Sequence, residues 1–74
     1  MNESSFQVVQ QTPEYLMLQS SGTTTIQLVD LTGAILKEQN IGEALQQFQL
    51  PNYTSGLYIL KDLEGNTKKV FLQK

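Results

Sequence analysis

The chain has no cysteine, no histidine, no tryptophan and no arginine. Without cysteine no disulfide can staple the fold, and no thiolate can attack a substrate or bind a metal. Without histidine the commonest general base and the commonest metal ligand are gone. Five lysines stand against seven acidic residues, for a net charge of −2. With no arginine forks and no basic excess, nucleic acid is not an expected partner. Nor is there a polybasic segment for a membrane surface. Long apolar runs are missing too. Leu16-Met17-Leu18 and Leu57-Tyr58-Ile59-Leu60 fall far short of the ~20 residues of a transmembrane helix. The first residues, Met1-Asn2-Glu3-Ser4-Ser5, carry neither the basic nor the apolar region of a signal peptide. Either the protein is cytosolic or the chain is a piece of a longer one, and the second reading is preferred. Residues 1–5 are then expected to be disordered or added to the natural sequence.

What is present is a series of short strands. Seventy-four residues make one domain, residues 1–74. A chain this short buries only about 60% of its unfolded surface, so its core supplies roughly 3–5 kcal/mol. Phe6 to Gln10 is a first strand, ended by Thr12-Pro13 because proline cannot donate to a ladder. Glu14 to Gln19 is a second, with Leu16 and Leu18 on one face and Tyr15, Met17 and Gln19 on the other. Ser20-Ser21-Gly22 turns the chain into Thr24 to Asp30, where Ile26 and Leu28 share a face. Leu31-Thr32-Gly33 connects it tightly to a returning strand, Ala34 to Gln39.

Ile41, Ala44, Leu45 and Phe48 have helical spacing, but Phe48 and Leu50 also alternate as a strand would. The reading taken is a loop over Gly42 to Leu45 and a strand over Gln46 to Leu50. Asn52 to Gly56 is a turn and Leu57 to Asp62 a strand. Glu64-Gly65-Asn66 closes a hairpin into the last strand, Thr67 to Gln73. About seven short strands with turns between them predict an all-β fold, a small antiparallel Ig-like β-sandwich. No internal repeat is evident. Glutamine recurs often, for no reason visible in the sequence.

Two hairpins stand in a recognisable order. The first carries Ile26-Gln27-Leu28-Val29-Asp30-Leu31-Thr32-Gly33, then Ile35-Leu36. The second carries Ser55-Gly56-Leu57-Tyr58-Ile59-Leu60-Lys61, then Gly65-Asn66-Thr67 and Lys68-Lys69-Val70, with Lys74 at the end. From Thr24 to Lys74 the chain resembles the type A C-terminal sorting domain of the type IX secretion system of Bacteroidota. That family shows an Asp-Leu-x-Gly turn, a Ser-Gly-x-Tyr strand followed by Lys, and paired lysines in a final strand. Family members usually open with a Pro-Asn-Pro element, and here Gln11-Thr12-Pro13-Glu14 stands instead.

The resemblance implies an address label. An outer-membrane translocon reads the domain, and a sorting peptidase then usually cuts it off. The localisation implied is the periplasm in transit, then the outer-membrane surface or the extracellular space. The sorting-motif and turn residues are Asp30, Leu31, Gly33, Ser55, Gly56, Tyr58, Lys61, Gly65, Lys68, Lys69, Val70 and Lys74. The alternative is an Ig-like interaction or adhesion module kept on a secreted or surface protein.

Several of these residues also have a purely structural reading. Gly33 and Gly56 are expected as turn residues that keep register. Asp30 is expected to accept backbone N–H bonds in an Asx-type turn. Tyr58 is expected to bury its ring and extend its hydroxyl to the edge. Leu57 to Leu60 is apolar on both faces, so either another segment covers the outer face or it awaits a partner. Lys68, Lys69 and Lys74 guard an edge against strand addition or touch the translocon or anionic lipopolysaccharide. Exposed edges also allow a homodimer.

Asp62, Glu64 and Asn66 are spaced like oxygen ligands. They lack the bidentate Glu of a calcium loop, and no metal or cofactor is expected. Asn2-Glu3-Ser4 and Asn52-Tyr53-Thr54 match the glycosylation pattern and are read as chance. No lysine or carboxylate stands beside a candidate nucleophile with an orienting third group, so no enzyme activity is expected.

Overall fold

Short runs of strand-forming residues, each bounded by turn residues, build seven strands in the computed structural model, which describes residues 6–74. The strands are β1 (Phe6–Gln11), β2 (Tyr15–Ser20), β3 (Thr24–Val29), β4 (Ile35–Ile41), β5 (Gln46–Gln49), β6 (Gly56–Lys61) and β7 (Thr67–Leu72). No helix occurs among the described residues. The expectation about residues 1–5 lies outside them.

The strands form two antiparallel sheets, one in the order β1-β2-β5 and one in the order β4-β3-β6-β7. The all-β sandwich expected from the sequence is the fold observed. Leu16 and Leu18 of β2 face Ile26, Leu28, Leu60 and Leu72 of the other sheet across a core that also takes in Phe6 and Phe48. The helical spacing of Ile41 to Phe48 does not produce a helix. Phe48 instead pairs with Leu16 in the ladder between β2 and β5.

Each strand differs from its expected bounds by a residue or two at one end or both, and two of these differences have identifiable reasons. The returning strand of the first hairpin runs on to Ile41, because Asn40 and Ile41 still find partners in Thr25 and Thr24 and Ile41 is buried. Asp62 is outside β6, because its carboxylate caps the turn that follows.

The outer face of the larger sheet answers the question raised by Leu57 to Leu60. Tyr58 and Leu60 point into the core, and Leu57, 40% exposed, points out. No strand among the described residues covers that face. The last strand behaves alike: Val70 and Leu72 are buried, while Phe71 remains 57% exposed.

Contrary to the reading of the sequence, the chain does contain a repeat. A shift of 32 residues carries β3 onto β6, Thr24–Val29 onto Gly56–Lys61, and the start of β4 onto the start of β7. Leu28 and Leu60, also 32 apart, are directly paired. A local two-fold axis therefore passes beside that pair and relates the two hairpins. The repeat is hidden because the strands share little sequence. Ile26-Gln27-Leu28-Val29 is matched with Tyr58-Ile59-Leu60-Lys61, and only the Asp-Leu-x-Gly turns look alike. A bulge breaks the symmetry: Leu28 pairs with Lys37 but Val29 with Ile35, which leaves Leu36 as the extra residue. The second hairpin has no such shift.

Truncating the residue at the centre of the larger sheet tests this account of the core. Leu60→Ala should cost about 2–5 kcal/mol, comparable to the whole stability of a domain this size. Leu57→Ser, on the outer face, should stay within about 0.5 kcal/mol. Urea unfolding of both variants checks the contrast.

Candidate functional site

The two turns are built alike. After β3, the Asp30 N–H donates to the Ala34 carbonyl at 3.0 Å and Gly33 N–H to the Asp30 carbonyl at 3.0 Å. The Asp30 carboxylate accepts from the Thr32 N–H at 2.9 Å, the Thr32 hydroxyl at 2.6 Å and the Ala34 N–H at 3.0 Å. After β6, Asp62 N–H donates to the Asn66 carbonyl at 3.0 Å. Its carboxylate accepts from the Glu64 and Asn66 N–H groups and from the Asn66 amide, each at 2.9 Å. Gly33 and Gly65 sit at φ of 94° and 92°, the left-handed region that glycine enters without a Cβ penalty. This is a three-residue hairpin loop with a glycine at its bulge position.

Both carboxylates are held below their ordinary value. For Asp30 the Thr32 hydroxyl is the main cause, followed by the Ala34 N–H. For Asp62 burial pushes the value up, but bonds from the Asn66 side chain and from the Asn66 and Glu64 backbone outweigh it. The oxygen-rich spacing of Asp62, Glu64 and Asn66 thus has a structural use, since the Asp62 carboxylate is occupied by its own turn. The Asx-type role expected of Asp30 is what the structure shows.

Gly56 departs from its expected turn role. It opens β6, pairs with Leu72 and has no positive φ. The turn before it owes its shape to other residues. Tyr53, missed in the sequence, is buried there and packs edge-to-face on Tyr58, with centroids 6.1 Å apart. Its hydroxyl donates to the Pro13 carbonyl at 2.8 Å, and that of Tyr58 donates to the Thr54 carbonyl at 2.7 Å. The end of the chain closes over this pair. Lys74 N–H donates to Ser55 Oγ at 3.0 Å, and Lys74 Nζ donates to Asn52 Oδ1 at 3.0 Å and lies 5.2 Å from the Tyr53 ring centre. A Tyr followed five residues later by another, beside a polar turn, was the available signal.

The structure therefore sorts the expected residues into three places. Asp30, Leu31 and Gly33 lie at one end of the larger sheet, which by register is also the end where Ser55, Gly56, Tyr58 and Lys74 lie. Lys61 and Gly65 lie at the opposite end. Lys68, Lys69 and Val70 run along β7, the edge strand.

The sandwich has two open sides, where the sheet edges face each other. At the β4/β5 side, Lys37 Nζ donates to the Gln49 carbonyl and Gln39 Nε2 to the Gln47 carbonyl at 3.0 Å. At the β1/β7 side, Gln11 Nε2 donates to the Phe71 carbonyl. Lysine Nζ atoms also cover the aromatic plugs: Lys37 is 5.0 Å from the Phe48 ring centre and Lys68 5.6 Å from that of Phe6. Two of the glutamines, Gln11 and Gln39, serve here as long neutral arms that reach the backbone of a facing edge.

Two turn-locked hairpins in one sheet, the second ending in a lysine-bearing edge strand, place the Asp-Leu-x-Gly and Ser-Gly-x-Tyr segments as the resemblance implies. The family model for the secretion system C-terminal sorting domain matches residues 12–73. The chain belongs to that family. Among curated proteins and among solved structures, none matches it. The family match is longer than the resemblance from Thr24 onward, because it begins before β2 and so takes in that strand of the smaller sheet, while β1 lies ahead of it. Domains of this family are the C-terminal sorting signals of type IX secretion. The sorting domain accordingly interacts with type IX machinery and directs export to the outer-membrane surface or the extracellular space. Nothing in the fold or the family match favours the adhesion-module alternative.

The two turn carboxylates give the sorting domain a defined acid response. Their folded-state values are depressed, so they add stability above the unfolded value of about 3.9 that is lost as pH falls through the folded values. The thermal midpoint should be flat from about pH 7 to 5 and fall below about pH 4. Replacing both, Asp30→Asn with Asp62→Asn, should make that fall shallower. Asp62→Ala alone should cost on the order of 2 kcal/mol at neutral pH. Calorimetry of the parent and variants across this range is the measurement.

Proposed function

We propose that residues 1–74 act as one non-catalytic address label in a Bacteroidota secretion pathway. The domain crosses the periplasm folded, is engaged by the outer-membrane translocon, and is cut from its cargo by a sorting peptidase after export. The observation that supports this most is the arrangement of the larger sheet. Its twin turns hold the two hairpins in register, so the edge strand β7 is displayed in one conformation with Lys68 and Lys69 beside the core residue Val70. Asp30, Gly33 and Gly65 serve by fixing that display, and Tyr58 with Ser55 and Lys74 anchors the end of the chain behind it. The ends of β7 and the lysines along it are the parts a translocon would read.

A reporter fused ahead of the domain tests the reading. The intact fusion should reach the cell surface, and a fusion lacking everything from Thr67 onward should stay inside. Export of the truncated fusion would refute the role assigned to β7. Mass spectrometry of the exported reporter should find the domain removed. Its retention would instead favour the adhesion-module reading.

A further inference from the structure

The two open sides of the sandwich are not equally closed. Lys37 and Gln39 bridge the β4/β5 side. The β1/β7 side leaves a groove of about 600 Å³, lined by Val8 and Gln11 on one bank and Lys68, Lys69, Val70 and Phe71 on the other. β7 has no strand on this side. The Phe71 carbonyl points into the groove, since it accepts from Gln11. In an antiparallel strand the N–H and C=O of one residue leave by the same edge, and successive residues alternate. Lys69 and Thr67 therefore offer their backbone groups to the same side.

We infer that this groove binds an extended, acidic segment of the type IX machinery, which adds as a further strand to the free edge of β7. The acidic character follows from charge. The groove lining contains two lysines and no carboxylate, in a chain whose net charge is −2. Apolar contacts are ready on both rims, with Val9 53% and Phe71 57% exposed. Val9 is the extra residue of a bulge between β1 and β2, where Val8 pairs with Leu18 and Gln10 with Met17. Edge lysines ordinarily discourage strand addition. They do so against a second copy of this chain, which brings its own lysines to the seam, whereas a strand bearing carboxylates turns the same charges into attraction. Backbone bonds then provide affinity and alternate side chains provide specificity. The source of the segment rests on the sorting role, but the groove's chemistry does not.

The test uses the whole chain, labelled with ¹⁵N, and two eight-residue peptides, one alternating valine with glutamate and one alternating valine with lysine. The glutamate peptide should slow hydrogen exchange at the Thr67, Lys69 and Phe71 amides, and the lysine peptide should not. Reversing the charges, Lys68→Glu with Lys69→Glu, should weaken binding by about tenfold. Lys69→Pro should abolish it, because that residue's N–H faces the groove and not β6. If Lys69→Pro does not fold, the charge reversal still decides. Equal binding of both peptides, protection confined to other strands, or no protection at ~1 mM peptide would overturn the inference. The reporter fusion separates the two levels. A folded Lys69→Pro fusion that is exported like the parent sinks the groove as the docking site and leaves the sorting role standing. Failure of the parent fusion to be exported sinks the sorting role, and the peptide result then stands on its own.

Discussion

A carboxylate that accepts N–H bonds two and four residues ahead of itself sets the register of the larger sheet. Asp30 and Asp62 each do this. A slip of one residue would turn every side chain of a strand to the opposite face. Leu28 and Leu60 would then leave the core, and Gln27 and Ile59 would enter it. The smaller sheet has no such turn. Thr12, not an aspartate, caps its hairpin, accepting from the Tyr15 N–H at 3.0 Å. The larger sheet is thus fixed by its own local chemistry, and the smaller one is fixed largely by packing on it and by the Tyr53 and Gln11 contacts.

The edges impose a second constraint. Two sheets of three and four strands expose four edges, and a chain with so few charges cannot guard them all with ion pairs. The β4/β5 side is bridged by side chains that donate to backbone carbonyls. The β1/β7 side keeps one such bridge and a groove. This asymmetry separates a closed side from one that can receive a partner, and it coincides with the strand that carries the paired lysines.

Much of this was legible in the residues. Alternation gave the strand of Ile26, face assignment gave that of Leu16, the apolar run Leu57 to Leu60 between turn signals gave that of Tyr58, and Leu31-Thr32-Gly33 and Glu64-Gly65-Asn66 gave the turns. The order of those turns gave the family. What escaped was non-local. The register of the β3–β6 pair joins segments with no shared turn, so the two-fold relation around Leu28 and Leu60 could not be seen in either hairpin alone. Tyr53 read as a turn residue because its partner, the Pro13 carbonyl, is 40 residues away. The groove was invisible because it belongs to neither β1 nor β7 by itself. The helical spacing of Ile41 to Phe48 yields, as read from the sequence, to a loop and a strand from Gln46, because Gly42 and the demand for a partner to β2 outweigh local periodicity.

The neutral glutamine arms have one more implication. Ion-pair closures weaken as salt screens them and vanish when a partner changes its protonation. An amide donating to a carbonyl does neither. Gln11 and Gln39 therefore hold the facing edges together almost equally in dilute buffer and in brine, while attraction to the lysines of the groove fades with ionic strength. These two amide bridges are insulated from the ionic surroundings, whereas the turn carboxylates and the affinity for a partner still follow them.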